Sequence, residues 1–181
     1  MNPLHELKQA AIGWLDLIAG RPSGAERFNF SRGGLIRAVS FYFLMVLLTM
    51  VVLGIAGGMP SYTQVFFGLL INALPLLTVA AVIALTLWLM RPGVTVTEML
   101  VPAAYALGFL LLVGLPLSLV FGDLFANAML GALGYLLYRE ARDIAGMRMG
   151  VSIAFAVLTV AVLVALPIGL YMLTTPATPP G

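Results

Sequence analysis

The chain has 181 residues, 62% of them hydrophobic and 9% charged, with a formal net charge of +2 and no cysteine. A soluble domain carries about 25% charged residues, so too little polar material is present to cover a water-facing surface. The composition reads as a polytopic membrane protein folded as one all-helical bundle, and the missing cysteines exclude disulfides, thiolate catalysis and thiolate metal sites.

Residues 3–19, PLHELKQAAIGWLDLIA, carry apolar side chains at Leu4, Leu7, Ala11, Trp14, Leu15 and Ile18. At helical spacing these fall within an arc of roughly 100°. They predict an N-terminal amphipathic helix that lies along the membrane interface or folds back over the bundle's inner face, with Trp14 suited to the boundary between lipid and water. Glu6, Gln9, Gly13 and Asp16 fall opposite, Lys8 flanks the stripe, and Ile12 and Leu17 lie off it. Gly20, with Pro22 beyond, predicts the helix end.

The segment GRPSGAERFNFSRGGLIR, Gly20 to Arg37, holds Arg21, Arg27, Arg32 and Arg37 against the single acid Glu26. The spacing of a phosphate-cradling loop is absent. A nucleic-acid face needs a broader basic surface on a folded module, so no nucleic-acid partner is expected. The first apolar run begins near Gly34, too late for a cleaved signal peptide.

Five spans are predicted, at approximately 34–55, 65–90, 99–120, 124–138 and 149–173. They follow a leader, 1–33, and precede a Pro-rich tail, 174–181. The first would measure roughly 33 Å as a helix, enough for a hydrocarbon core of about 30 Å. Asn72 and Pro75 interrupt the second, and Pro75 predicts a kink. Residues 99–138 form an apolar stretch about twice a spanning length. It must therefore reverse, around Phe121–Asp123, with Asp123 as N-cap of the returning helix. Pro116 bends the outgoing helix, and Pro167 lies inside the last span.

All nine Lys and Arg residues fall in the leader and the first turn beyond it (Arg37), the 91–98 turn and the 138–148 loop, and none in 56–64, 121–123 or the tail. The positive-inside rule then predicts a cytoplasmic N-terminus and an extracytoplasmic C-terminus. Eight Arg against the single Lys8, in an Ala/Gly/Leu/Val-rich chain, point to a bacterial inner membrane. Arg21, Arg27, Arg32, Arg37, Arg139, Arg142 and Arg148 are the candidate contacts to its anionic cytoplasmic leaflet.

The spans hold no mid-membrane charge, which ion-coupled transporters need. Asn72 and Asn127 form the candidate intramembrane polar site. Either they bond across helices, or Asn72, beside Pro75, lines a small polar cavity as broken helices do in transporters. Serine proteolysis lacks a base, because the only histidine, His5, precedes the first span. An aspartyl site lacks its second embedded acid, and a metal site lacks a His/Glu cluster. No catalytic, cofactor-binding or metal-binding residue is expected, and no enzyme. Gly54-x₃-Gly58, Ala80-x₃-Ala84, Ala104-x₃-Gly108 and the run Ala128, Gly131, Gly134 predict close helix packing, the last also offering a face for a homo-oligomer.

The leader, five spans, the tightly connected third and fourth helices and GYLLYREARDIAGMRMGVSIAFAVL (Gly134–Leu158) before the last span together resemble the YIP family of Ypt/Rab-interacting five-span membrane proteins. The resemblance covers residues 34–173 in architecture. The eukaryotic DLYGP-type signature is missing, and FGDLF stands in its region. In eukaryotes the likeness implies membrane traffic and contact with prenylated GTPases; for a bacterial chain it implies the fold alone.

Two functions are carried forward. One is a non-enzymatic membrane protein that organises or recruits partners at the cytoplasmic face. The other is a small transporter or permease component with a polar site near Asn72 and Pro75, which a cavity at Asn72 would favour.

Overall fold

The computed structural model describes residues 3–58, 61–90 and 93–174. Among them are six α-helices, one 3₁₀ helix and no strand. The elements are α1 (Pro3–Ile18), the 3₁₀ helix Pro22–Arg27, α2 (Arg32–Gly57), α3 (Tyr62–Met90), α4 (Val96–Phe121), α5 (Asp123–Asp143) and α6 (Met149–Thr174). Arg91 and tail residues 175–181 lie outside the described residues.

The helix starts are set by local polar chemistry. Ser31 caps α2, its hydroxyl accepting from the Gly34 N–H at 3.1 Å. Ser61 and Gln64 cap α3 reciprocally, each side chain accepting from the other's backbone N–H. Thr95 and Glu98 repeat that arrangement at α4. Such boxes satisfy donors that the first helical turn leaves without partners. α4 and α5 are joined at Gly122, whose φ of 61° is left-handed. The cap of α5 is thus Gly122, and Asp123 is the first helical residue rather than the expected N-cap. A reversal this short needs positive φ, which glycine adopts without strain.

α1 ends in a Schellman motif, with Arg21 N–H bonded to Asp16 O, Gly20 N–H bonded to Leu17 O and Gly20 at φ 81°. It folds back over the end of the bundle formed by the starts of α2 and α4 and the last turns of α5. Its buried face differs from the expected stripe. Glu6, Ala10, Gly13, Trp14 and Leu17 are buried, while Leu4, Leu15 and Ile18 are exposed.

The reason is steric and ionic. Gly13 and Gly24 meet so closely that a Cβ on Gly24 would stand 2.5 Å from the Gly13 carbonyl, which seats the 3₁₀ helix on α1. Phe28 then packs edge-on against Trp14, ring centroids 5.8 Å apart. Trp14 does not sit at a lipid boundary. It is 4% exposed, and its indole N–H donates to Pro102 O of α4 at 3.1 Å.

Large buried side chains concentrate in the half of the bundle that α1 covers. They run over Phe41–Val46, Leu76–Leu87, Met99–Leu107 and Leu133–Ala141, with Phe155 and Ala156 on α6. Gly108 admits the Phe41 ring, which a Cβ there would meet at 2.5 Å, and Phe41 packs at a tilt against Phe109 with ring centroids 5.1 Å apart. Beyond this half the helices are mostly exposed along their apolar faces, as at Leu53, Phe66 and Ile71. That surface belongs in lipid rather than water.

Candidate functional site

The packed half gives way at Tyr42, Asn72, Leu107, Leu133 and Leu163, one residue from each of α2 to α6. These residues line an open-sided chamber of about 630 Å³. Proline chemistry explains its position. Pro75 removes the hydrogen bond that the Ile71 carbonyl would have received, and its ring pushes the preceding turn away. Pro167 of α6 faces Pro75 across a neighbouring space of about 300 Å³ that shares Asn72 and Leu163 with the chamber. The volume lies within the roughly 300–1,000 Å³ range of small-molecule sites.

Three polar side chains line this otherwise apolar space. The Tyr42 hydroxyl donates to the Asn72 backbone carbonyl at 2.6 Å, tying α2 to the interrupted turn of α3. The Asn72 amide donates to Gly68 O at 2.9 Å within its own helix. Thr49 donates to Met45 O at 2.9 Å. The cross-helix bond at the kink therefore comes from Tyr42 to the backbone of Asn72, not from the Asn72 side chain. Asn127 is placed elsewhere, on the exposed face of α5. The two asparagines do not form one site.

At the covered end, most of the arginines find partners within the chain. Arg37 clasps the buried Glu6 carboxylate through both Nε and Nη2, the latter at 2.7 Å, and Asn29 donates to the same carboxylate at 2.6 Å. Burial alone would raise the Glu6 pKa, but the bonds from Asn29 and Arg37 outweigh it and hold the carboxyl below its usual range. Arg21 and Arg27 both pair with Asp16, at 3.3 and 2.9 Å. Arg139 pairs with Asp143 at 2.8 Å. Arg142 bonds the Met147 carbonyl at 3.2 Å. Arg32 and Arg148 are exposed, with no ion pair among the described residues.

One acid was read from sequence only as part of a charged loop. Glu140 of α5, beyond the predicted span, is fully buried, and neither carboxylate oxygen has a hydrogen-bond partner. Burial pushes its carboxyl well above the usual carboxylate range. No single-sequence signal distinguishes it from the other charges of the 138–148 loop.

Among the described residues, four helical stretches are long and apolar enough to cross a bilayer: Arg32–Ile55, Tyr62–Met90, Val96–Gly114 and Met149–Gly169. With their exposed apolar faces they define a multi-pass membrane protein. No family model, curated protein or solved structure matches the chain.

Proposed function

We propose that this is a non-enzymatic membrane protein that takes a single apolar-chained molecule from the bilayer into the chamber at Asn72 and Pro75. It thus acts as a small transporter or permease component. The observation that carries this reading is the chamber itself, about 630 Å³ lined by all five long helices beside the Pro75 turn of α3 that bears the Asn72 amide. Lipid is the surrounding solvent, so an apolar occupant loses little on entry and gains contacts with the walls.

The proposed setting is a bacterial inner membrane, with residues 124–138 of α5 as a further span and the α1 end cytoplasmic. The architecture supports a YIP-like arrangement. α5 reverses directly from α4 at Gly122, and every described Lys and Arg belongs to the covered end. A periplasm-active reporter fused after Gly181 should be active, and one inserted within Arg142–Gly146 silent. Equal signals at both sites would refute the arrangement.

A second reading, a protein that gathers partners at the cytoplasmic face, is favoured by the outward ridge of Leu4, Leu15 and Ile18 on α1. That ridge, with Lys8 and the unpaired Arg32 and Arg148, also suits an anionic leaflet. Native mass spectrometry after gentle extraction separates the two. The first reading expects a co-purifying apolar molecule that Leu163→Trp, which fills the chamber, displaces. Co-purifying protein with an empty chamber would sink it in favour of the second.

A further inference from the structure

Building on the chamber reading, we infer that the chamber selects an uncharged amphiphile, one long chain headed by a hydroxyl or amide, over an anionic or cationic lipid of the same chain. The first reason is charge. None of the described residues lining the chamber is charged, and the described Lys and Arg residues are gathered at the covered end of the bundle. A carboxylate, phosphate or ammonium entering the chamber would lose its hydration without gaining a counter-ion, the costliest form of burial.

The second reason is the count of donors and acceptors left over. A hydroxyl has one hydrogen to give, and those of Tyr42 and Thr49 are committed to Asn72 O and Met45 O. Of the two Asn72 amide hydrogens one is committed to Gly68 O. A guest is therefore offered one N–H, the Asn72 side-chain carbonyl and the lone pairs of two hydroxyl oxygens. Acceptors outnumber donors. A head that donates at least one hydrogen fits that surplus, as a hydroxyl or an amide does. An ester or carboxylate, which only accepts, meets a single donor.

The third reason is position. The amide stands beside the Pro75 kink, where the chamber and the smaller space toward Pro167 share Asn72. The head would be held there, while the chain lies along the leucines of α4 to α6.

The test uses photoreactive diazirine analogues of hexadecanol, palmitic acid and hexadecylamine, offered at equal membrane content to the purified full chain in nanodiscs at neutral pH. Peptides of α2, α3 and α6 are then scored for label. The alcohol is expected to label them at least about tenfold more efficiently than either charged analogue, a modest demand against the cost of burying an ion. Asn72→Leu should lower labelling by the alcohol several-fold, while both charged analogues stay excluded by the uncharged lining. Thr49→Val, which removes one acceptor and keeps shape, should weaken labelling by the alcohol if the leucine variant does not fold. Equal labelling by all three heads, or a preference for the acid or amine, overturns the head-group inference and leaves the chamber reading standing. Label confined to the lipid-facing surface with every analogue overturns the chamber reading itself.

Discussion

Arg37→Leu is expected to destabilise the protein by about 3 kcal/mol and to release α1 and the 3₁₀ helix from the bundle. Glu6 is 4% exposed, and its carboxylate is held by Arg37 from α2 and by Asn29. Removing the guanidinium leaves a buried anion with one neutral donor, a costlier state than either a paired or an absent charge. Breaking a buried pair costs about 3–5 kcal/mol; the Arg37 side chain is 34% exposed, so the low end applies.

The readouts are thermal unfolding in detergent and proteolytic cutting between Ala19 and Ser31. Adding Glu6→Gln to Arg37→Leu should recover part of the loss, because the uncompensated charge disappears. Acid should mimic the single variant. A carboxyl whose folded pKa is lowered gives stability that is present above its ordinary value of 4.5 and is lost as pH falls through the folded value. Unchanged melting and unchanged cutting in Arg37→Leu would show that the clasp does not hold the cap.

The presence of the long helices was legible because long apolar runs end at Gly, Pro and charge. Their bounds were less so: α3 and α4 begin earlier than expected and α5 runs on to Asp143. The reversal near residue 122 followed from length alone. Which residue caps it did not, since positive φ at Gly122 outranks a polar cap at Asp123. The capping boxes Ser61–Gln64 and Thr95–Glu98 were present as text, and reading their three-residue spacing would have placed the starts of α3 and α4.

The face of α1 misled for a different reason. A periodicity count weighs Leu4, Leu15 and Ile18 above Ala10 and Gly13, but close approach to Gly24 rewards small residues. Glu6 becomes a core residue once Arg37, 31 positions away, closes on it. The chamber was half legible. Asn72 and Pro75 marked the level, whereas its size depends on where five helices stop touching, and no single helix carries that information.

Glu140 supplies the steepest expected pH dependence. In YREARDIAGMR it reads as one charge among five, yet the folded chain buries it completely with both oxygens bare. The elements packed against α5 are α1, α4 and α6. Their charged groups are engaged elsewhere or exposed: Glu6 with Arg37, Asp16 with Arg21 and Arg27, Glu98 with Thr95, and Lys8 and Arg148 in the open. Neighbouring Arg139 is directed to Asp143. No described charged group therefore compensates an anion at Glu140, and burial favours the protonated acid.

The sign follows from proton counting. The folded state keeps its proton where the unfolded chain, with a carboxyl near 4.5, has released it. Stability is then greatest below that value and declines as pH rises toward the raised folded value, by up to about 1.4 kcal/mol per pH unit across the interval. Thermal unfolding in detergent from acid to mildly alkaline pH should show this decline in the parent chain. Glu140→Gln keeps the shape and cannot ionise. It should flatten the profile over the interval and leave the variant the more stable of the two at its alkaline end. An amide that also lacks partners lowers both ends equally, so the difference in slope isolates the proton. Parallel profiles for the two chains would mean that Glu140 is solvated or paired rather than buried without a partner.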